Sequence, residues 1–125
     1  MDLLRQAEAV YIQVLIDLYK WSKAYSDNQL ISKKSREISL SSIASIDIGD
    51  VSGMEEAYGY GWKIGTTNGE KIVWHASNFG GFSNLLLYIP ESDTTVIILS
   101  NLAQADTKPI AIKIIDFGES SLPRE

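Results

Sequence analysis

The sequence predicts an α+β domain, a four-stranded antiparallel sheet flanked by N-terminal and C-terminal helices, and three observations carry that expectation. Apolar residues recur at spacings of three and four near the start of the chain. Two pairs of β-prone runs flank turn sequences in the middle, and helical spacing returns near the end. With 125 residues, 45% of them hydrophobic and 22% charged, the chain has the size and composition of one globular domain.

The first stripe, Leu4, Ala7, Tyr11, Val14, Leu18, Trp21 and Tyr25, puts one apolar face on a helix over about residues 3–25. Ser26-Asp27-Asn28 ends it. Ser32 can cap the helix formers that follow, so a short helix is expected near residues 32–38, with the basic cluster of Lys33, Lys34 and Arg36 on a solvated face. Residues 39–57 are rich in Ser, Asp and Gly and read as a long connection or irregular strand.

The period then changes. The runs Tyr58–Ile64 and Lys71–His75 flank Thr66-Thr67-Asn68-Gly69, and Asn-Gly between β-prone runs is a strong hairpin signal. A second pair, Phe82–Ile89 and Thr94–Ser100, is joined by Pro90-Glu91-Ser92-Asp93, which has turn chemistry. These strands are apolar on both faces, since Leu85 and Leu87 point one way and Leu86 and Tyr88 the other, so both sides of the sheet need helical cover. Asp106-Thr107-Lys108-Pro109 opens a final helix that carries Ile110, Ala111, Ile114, Ile115 and Phe117 to about Gly118, and the residues beyond read as a frayed tail.

The net charge of -5 offers no basic field, so no nucleic acid partner is expected. No membrane span is expected either, because no stretch approaches the roughly 20 apolar residues a bilayer requires. The start of the chain interleaves charge with leucine and does not look like a secretory signal. There is no cysteine, which removes disulfides, thiolate metal sites and a thiol nucleophile. With a single histidine and no carboxylate at ligand spacing, no metal and no cofactor are expected.

That histidine, His75, ends a predicted strand and precedes Ala76-Ser77-Asn78-Phe79-Gly80-Gly81-Phe82. A lone histidine is more often a structural or surface residue than a catalyst, and a Gly-Gly pair alone means a sharp turn or a close approach. Taken together, however, the segments resemble the C-terminal part of the serine β-lactamase-like family of class C β-lactamases, D-alanyl-D-alanine carboxypeptidases and related esterases. Asp17-Leu18-Tyr19-Lys20-Trp21 followed by Leu30-Ile31-Ser32 is similar to that family's helix and the segment after it. Tyr58-Gly59-Tyr60-Gly61-Trp62 resembles its aromatic-glycine strand, Trp74 to Phe82 its His-x-Gly segment, and Val96 to Asn101 its last core strand.

The resemblance implies a partial β-lactamase-like fold and a parent activity of amide or ester hydrolysis through an acyl-enzyme. It places His75, Ala76, Ser77 and Asn78 as substrate-binding residues: His75 at the basic position, Ala76 at the hydroxyl position, Ser77 at the glycine, and Asn78 offering its backbone N–H to an oxyanion hole. Ser77 departs from the family, whose glycine admits substrate close to the strand. So does the lack of a nucleophile: no serine has lysine three residues later, and no tyrosine has asparagine two residues later, Tyr25-Ser26-Asp27 coming nearest. A hydroxyl without a base is a poor nucleophile, so no catalytic residue is assigned and the chain alone is not expected to be catalytic.

Three parts follow: residues 1–16 as a helical extension without family resemblance, 17–118 as the C-terminal portion of a β-lactamase-like domain, and 119–125 as a tail. The leading expectation is a C-terminal fragment of such a hydrolase, whose intact members act on a small-molecule or peptide substrate and are often periplasmic or extracellular. The alternative is a non-catalytic binding or assembly module that keeps the fold. Leu85, Leu87, Ile97 and Leu99, or their opposite-face neighbours, are expected to lack cover on one side, which makes a homodimer the expected state.

Overall fold

A computed structural model describes residues 15–45 and 57–121. Helix α1 spans Leu15–Ser26, and the rest of the predicted first helix, residues 3–14, lies outside the described residues. Asn28 enters the left-handed region (φ 58°) and the Gln29 N–H donates to the Ala24 carbonyl at 2.8 Å, which closes the helix end. Helix α2 spans Lys33–Ser39, and the Ser32 hydroxyl accepts from the Ser35 N–H at 3.1 Å, as the capping signal predicted.

The sheet holds the predicted meander as β3 (Lys63–Thr67), β4 (Glu70–Phe79), β5 (Phe82–Ile89) and β6 (Thr94–Ser100). Two two-residue strands, β1 (Ala44–Ser45) and β2 (Ala57–Tyr58), extend it beyond β3, so the described sheet has six strands in the order β1-β2-β3-β4-β5-β6, all antiparallel. The aromatic-glycine run, expected as one strand, is instead a bend between β2 and β3. The Gly59 N–H donates to the Trp62 carbonyl at 2.8 Å and Gly61 has φ 82°. Glycine is required at 59 because a Cβ there would stand 2.8 Å from the Ser41 carbonyl oxygen, at the end of α2.

Asn68-Gly69 and Gly80-Gly81 form two-residue turns with positive φ at both positions (49° and 80°, 60° and 89°), the twist that suits a tight hairpin. The second turn lets β4 continue well past His75 to Phe79. Helix α3 spans Thr107–Ser121, so residues 119–121, expected in the tail, are helical.

Alternation along the strands sends side chains to two cores. On one face Ile72, Trp74, Leu85, Leu87, Ile89 and Val96 pack against Ala111 and Ile115 of α3. Lys108 sits 4.1 Å from the centroid of the Trp74 ring, and Asn68 donates to Asp116 at 2.8 Å, which ties the same flank of α3 to β3 and β4. On the other face Val73, Ile64, Trp62 and Tyr88 pack against Tyr25 and Leu40. Trp21 stacks on Tyr25 at 5.5 Å, and Tyr25 meets Trp62 at 5.8 Å and Tyr88 edge-on at 6.4 Å. Helices thus cover both faces, as two-sided apolar strands demand.

That cover corrects the expectation of a bare face. Leu85 and Leu87 are fully buried under α3, whereas Ile97 is half-buried and Leu99 is 37% exposed, because α1 reaches only the Thr95–Ile97 end of β6.

Candidate functional site

His75, Ala76, Ser77 and Asn78 lie in succession on β4 and all four are exposed. Strand alternation divides them. His75 and Ser77 share the face of Val73 and point to the α1 side, while Ala76 and Asn78 share the face of Trp74. The structure therefore gives His75 and Ser77 a common side together with Phe79, and places the side chains of Ala76 and Asn78 on the other.

The backbone tells more than the side chains. A two-residue hairpin closes on a hydrogen-bonded pair, so Phe79–Phe82 and Thr67–Glu70 are such pairs. Counting back by twos, the odd residues of β4 exchange bonds with β5 and the even residues face β3. Yet β3 pairs with β4 only from Glu70 to Trp74, the last pair being Lys63 with Trp74. Beyond it, the N–H and C=O groups of Ala76 and Asn78 face an edge with no strand partner among the described residues. A rigid strand edge with an aligned N–H, beside an exposed imidazole, is an arrangement that can hold an oxyanion at little reorganisation cost.

Strand β4 is held from behind. Trp74, 2% exposed, anchors it to α3, and the Ser83 hydroxyl across the hairpin donates to the Ala105 carbonyl at 2.9 Å. A polar chain invisible in the sequence pins the helices at the far end of the same sheet. Lys23 of α1 donates to Asp93 at 3.0 Å, Tyr88 donates to the second oxygen of Asp93 at 3.4 Å, and Arg36 of α2 reaches the Tyr88 hydroxyl at 3.4 Å. The Lys23 hydrogen bond holds the Asp93 carboxyl below its usual range, and burial pushes the Tyr88 hydroxyl up. Arg36 is thus half-buried against the sheet and not on a merely solvated face, its expected place. No sequence spacing joins residues 23, 36, 88 and 93; only α1 and α2 folding over the β5–β6 turn does so. Among the described residues no group of three or more His, Asp or Glu side chains is placed to hold a metal ion.

A family profile described as Beta-lactamase matches residues 5–117. The chain belongs to the beta-lactamase family. The profile match starts upstream of Asp17, where the recognisable resemblance begins. Among solved structures, the octameric penicillin-binding protein homologue from Pyrococcus abyssi superposes with a TM-score of 0.77 at 27% identity, covering 86% of this chain and 24% of that one. A penicillin-binding protein from Bacillus halodurans shares the fold, with a TM-score of 0.63 at 18% identity over 85% of this chain and 30% of its own. This chain thus spans between a quarter and a third of the length of these beta-lactamase-family neighbours. No curated protein sequence matches it. No helix among the described residues is long and apolar enough to cross a membrane.

Proposed function

We infer that this chain supplies the sheet portion of a serine acyl-hydrolase of the beta-lactamase family. The edge of β4 from His75 to Asn78 lines the site where an amide or ester of a small molecule or peptide is cleaved through an acyl-enzyme. The single observation behind this reading is the parity of β4: the resemblance makes Asn78 the oxyanion donor, and the hairpin register independently turns its N–H toward the open edge. His75 borders that edge as an exposed imidazole. The nucleophile and its base belong to the part of the family fold that this chain does not span, since no Ser-x-x-Lys or Tyr-x-Asn occurs in the sequence.

Two experiments test the reading. The chain alone should not hydrolyse chromogenic β-lactams or nitrophenyl esters above a denatured-protein control; saturable turnover with a covalent acyl adduct would overturn the assignment of the nucleophile elsewhere. In a hybrid that carries residues 17–117 in place of the corresponding part of the Pyrococcus abyssi homologue, Asn78→Pro should lower kcat by about 10²–10³, the usual cost of one oxyanion donor. An unchanged kcat would remove Asn78 from the site.

For the isolated chain we expect a homodimer. The octameric state of the Pyrococcus abyssi homologue shows that the fold tolerates assembly in that protein, and Phe79, Phe82 and Leu99 here form an exposed apolar surface at the uncovered end of the α1 face. Light scattering over a micromolar dilution series decides, and a monomer throughout would refute it.

A further inference from the structure

The opposite edge of the sheet is open as well, and its surroundings are unlike those of β4. Strand β6 pairs with β5 on one side only. The register that bonds even residues of β4 outward carries through β5: Ile89–Thr94, Leu87–Val96 and Leu85–Ile98 are its bonded pairs with β6, so the N–H and C=O groups of Thr95, Ile97 and Leu99 face outward. The strand reads Thr-Thr-Val-Ile-Ile-Leu-Ser, with no charge, no proline and no bulge, none of the devices that blunt an edge left to solvent.

Apolar side chains overhang that edge from both faces. On the α1 side, Leu15, Ile16 and Tyr19 form a shallow groove with Thr95 and Ile97, and Ile16 is 59% exposed. On the α3 side, Lys108 and Asp116 are turned toward β3 and β4, so the opposite flank of the helix, with Ile110 and the 49% exposed Ile114, projects past β6. The result is a slot one strand wide with an apolar wall above and below.

Its shape selects the occupant. Strands pair at about 4.8 Å, whereas packed helices need about 8–10 Å between axes. Helix α1 lies on β6, its Ser22 hydroxyl 2.8 Å from that of Thr95, so a second copy docked through β6 would bring its own helices too close above and below the shared edge. A bare strand fits where a second sheet with its helices does not. The solved neighbours contain some three-quarters of their length outside the stretch matched here, which is ample chain to provide one.

We propose that the free edge of β6 binds, by strand addition, one extended uncharged segment, apolar on both faces, from the part of the beta-lactamase fold that this chain does not span, and that it can do so when that segment is a separate polypeptide. This rests on the reading of the chain as a portion of a larger fold, but its readout is binding and needs no turnover. Backbone bonds to Thr95, Ile97 and Leu99 supply the affinity, and the two apolar walls select the side chains.

The probe is a synthetic peptide copying residues 94–100, flanked by lysines for solubility and N-methylated at alternate amides so that only one edge can pair. Titration by calorimetry against the full chain should show saturable one-to-one binding, weakened at least about tenfold when the remaining amides are methylated too. Ile16→Glu and Ile114→Glu lie on exposed positions, so each should leave the circular dichroism and melting of the chain unchanged. Each should also weaken the peptide by about fivefold or more. Hydrogen exchange should slow at Thr95, Ile97 and Leu99 on binding. No saturable binding up to about 1 mM, equal binding of the fully methylated peptide, or wall variants without effect would each overturn the proposal. So would slowed exchange at those three amides with rising protein concentration and no peptide, which would assign the edge to a second copy. An Asn78→Pro hybrid with unchanged kcat would strike the active-site reading and leave this one standing.

Discussion

Trp74 and His75 are neighbours in sequence with opposite environments, and substituting each in turn tests the register on which the site depends. Trp74 is 2% exposed in the core between the sheet and α3. Burying an aromatic of this kind removes roughly 150–250 Å² from water, and at roughly 25 cal/mol per Å² that is worth about 4–6 kcal/mol as an upper bound. Cavity relaxation brings the measured cost of such truncations to about 3–5 kcal/mol. Against a domain stability of about 5–15 kcal/mol, Trp74→Ala should therefore move the urea midpoint by a large fraction of its value. His75→Ala, on the solvent side, should change stability by less than about 0.5 kcal/mol. The assay is urea unfolding followed by far-ultraviolet circular dichroism, with the slope compared between variants to confirm that the unfolded surface is unchanged. A one-residue slip of β4 would exchange the two environments. A cost below about 1.5 kcal/mol for Trp74→Ala, or above that for His75→Ala, would refute the register and with it the outward N–H of Asn78.

Gly59→Ala should cost about 1–3 kcal/mol in thermal or urea melts, because the new methyl meets the carbonyl oxygens of Ser41 and Ser39 at 2.8 and 3.0 Å and backbone must shift to admit it. Asp93, held low by Lys23, stabilises the fold fully above its unfolded value of about 3.9, and that contribution is lost as pH falls through the lower folded value. Asp93→Asn should therefore flatten the loss of melting temperature below about pH 4 while leaving Lys108→Ala controls unaffected. Tyr88, raised by burial, has the opposite sign. Its neutral form is stabilising up to about pH 10, and stability should fall as pH rises from there through the folded value, a decline that Tyr88→Phe removes in alkaline melts.

Local chemistry was legible wherever the reason for a structure lay within a few residues. Ser32 capped α2, Asn68-Gly69 made the hairpin, the β5–β6 turn formed at Pro90–Asp93, and two-sided apolar strands called for helices on both faces. The His75–Asn78 segment was legible too, as a resemblance, because it is contiguous. What the sequence could not express was decided by pairings between distant residues. The aromatic-glycine run bends because Gly59 must pass under the end of α2, and Arg36 leaves solvent because Tyr88 and Asp93 arrive from the far side of the chain. Whether the Asn78 N–H faces open space depends on where β3 stops, at Lys63 opposite Trp74, and on a parity set by a turn at Gly80-Gly81. The two free edges follow from the same cause. An edge belongs to a strand order, and strand order exists only once the hairpins have closed and the helices have chosen their faces.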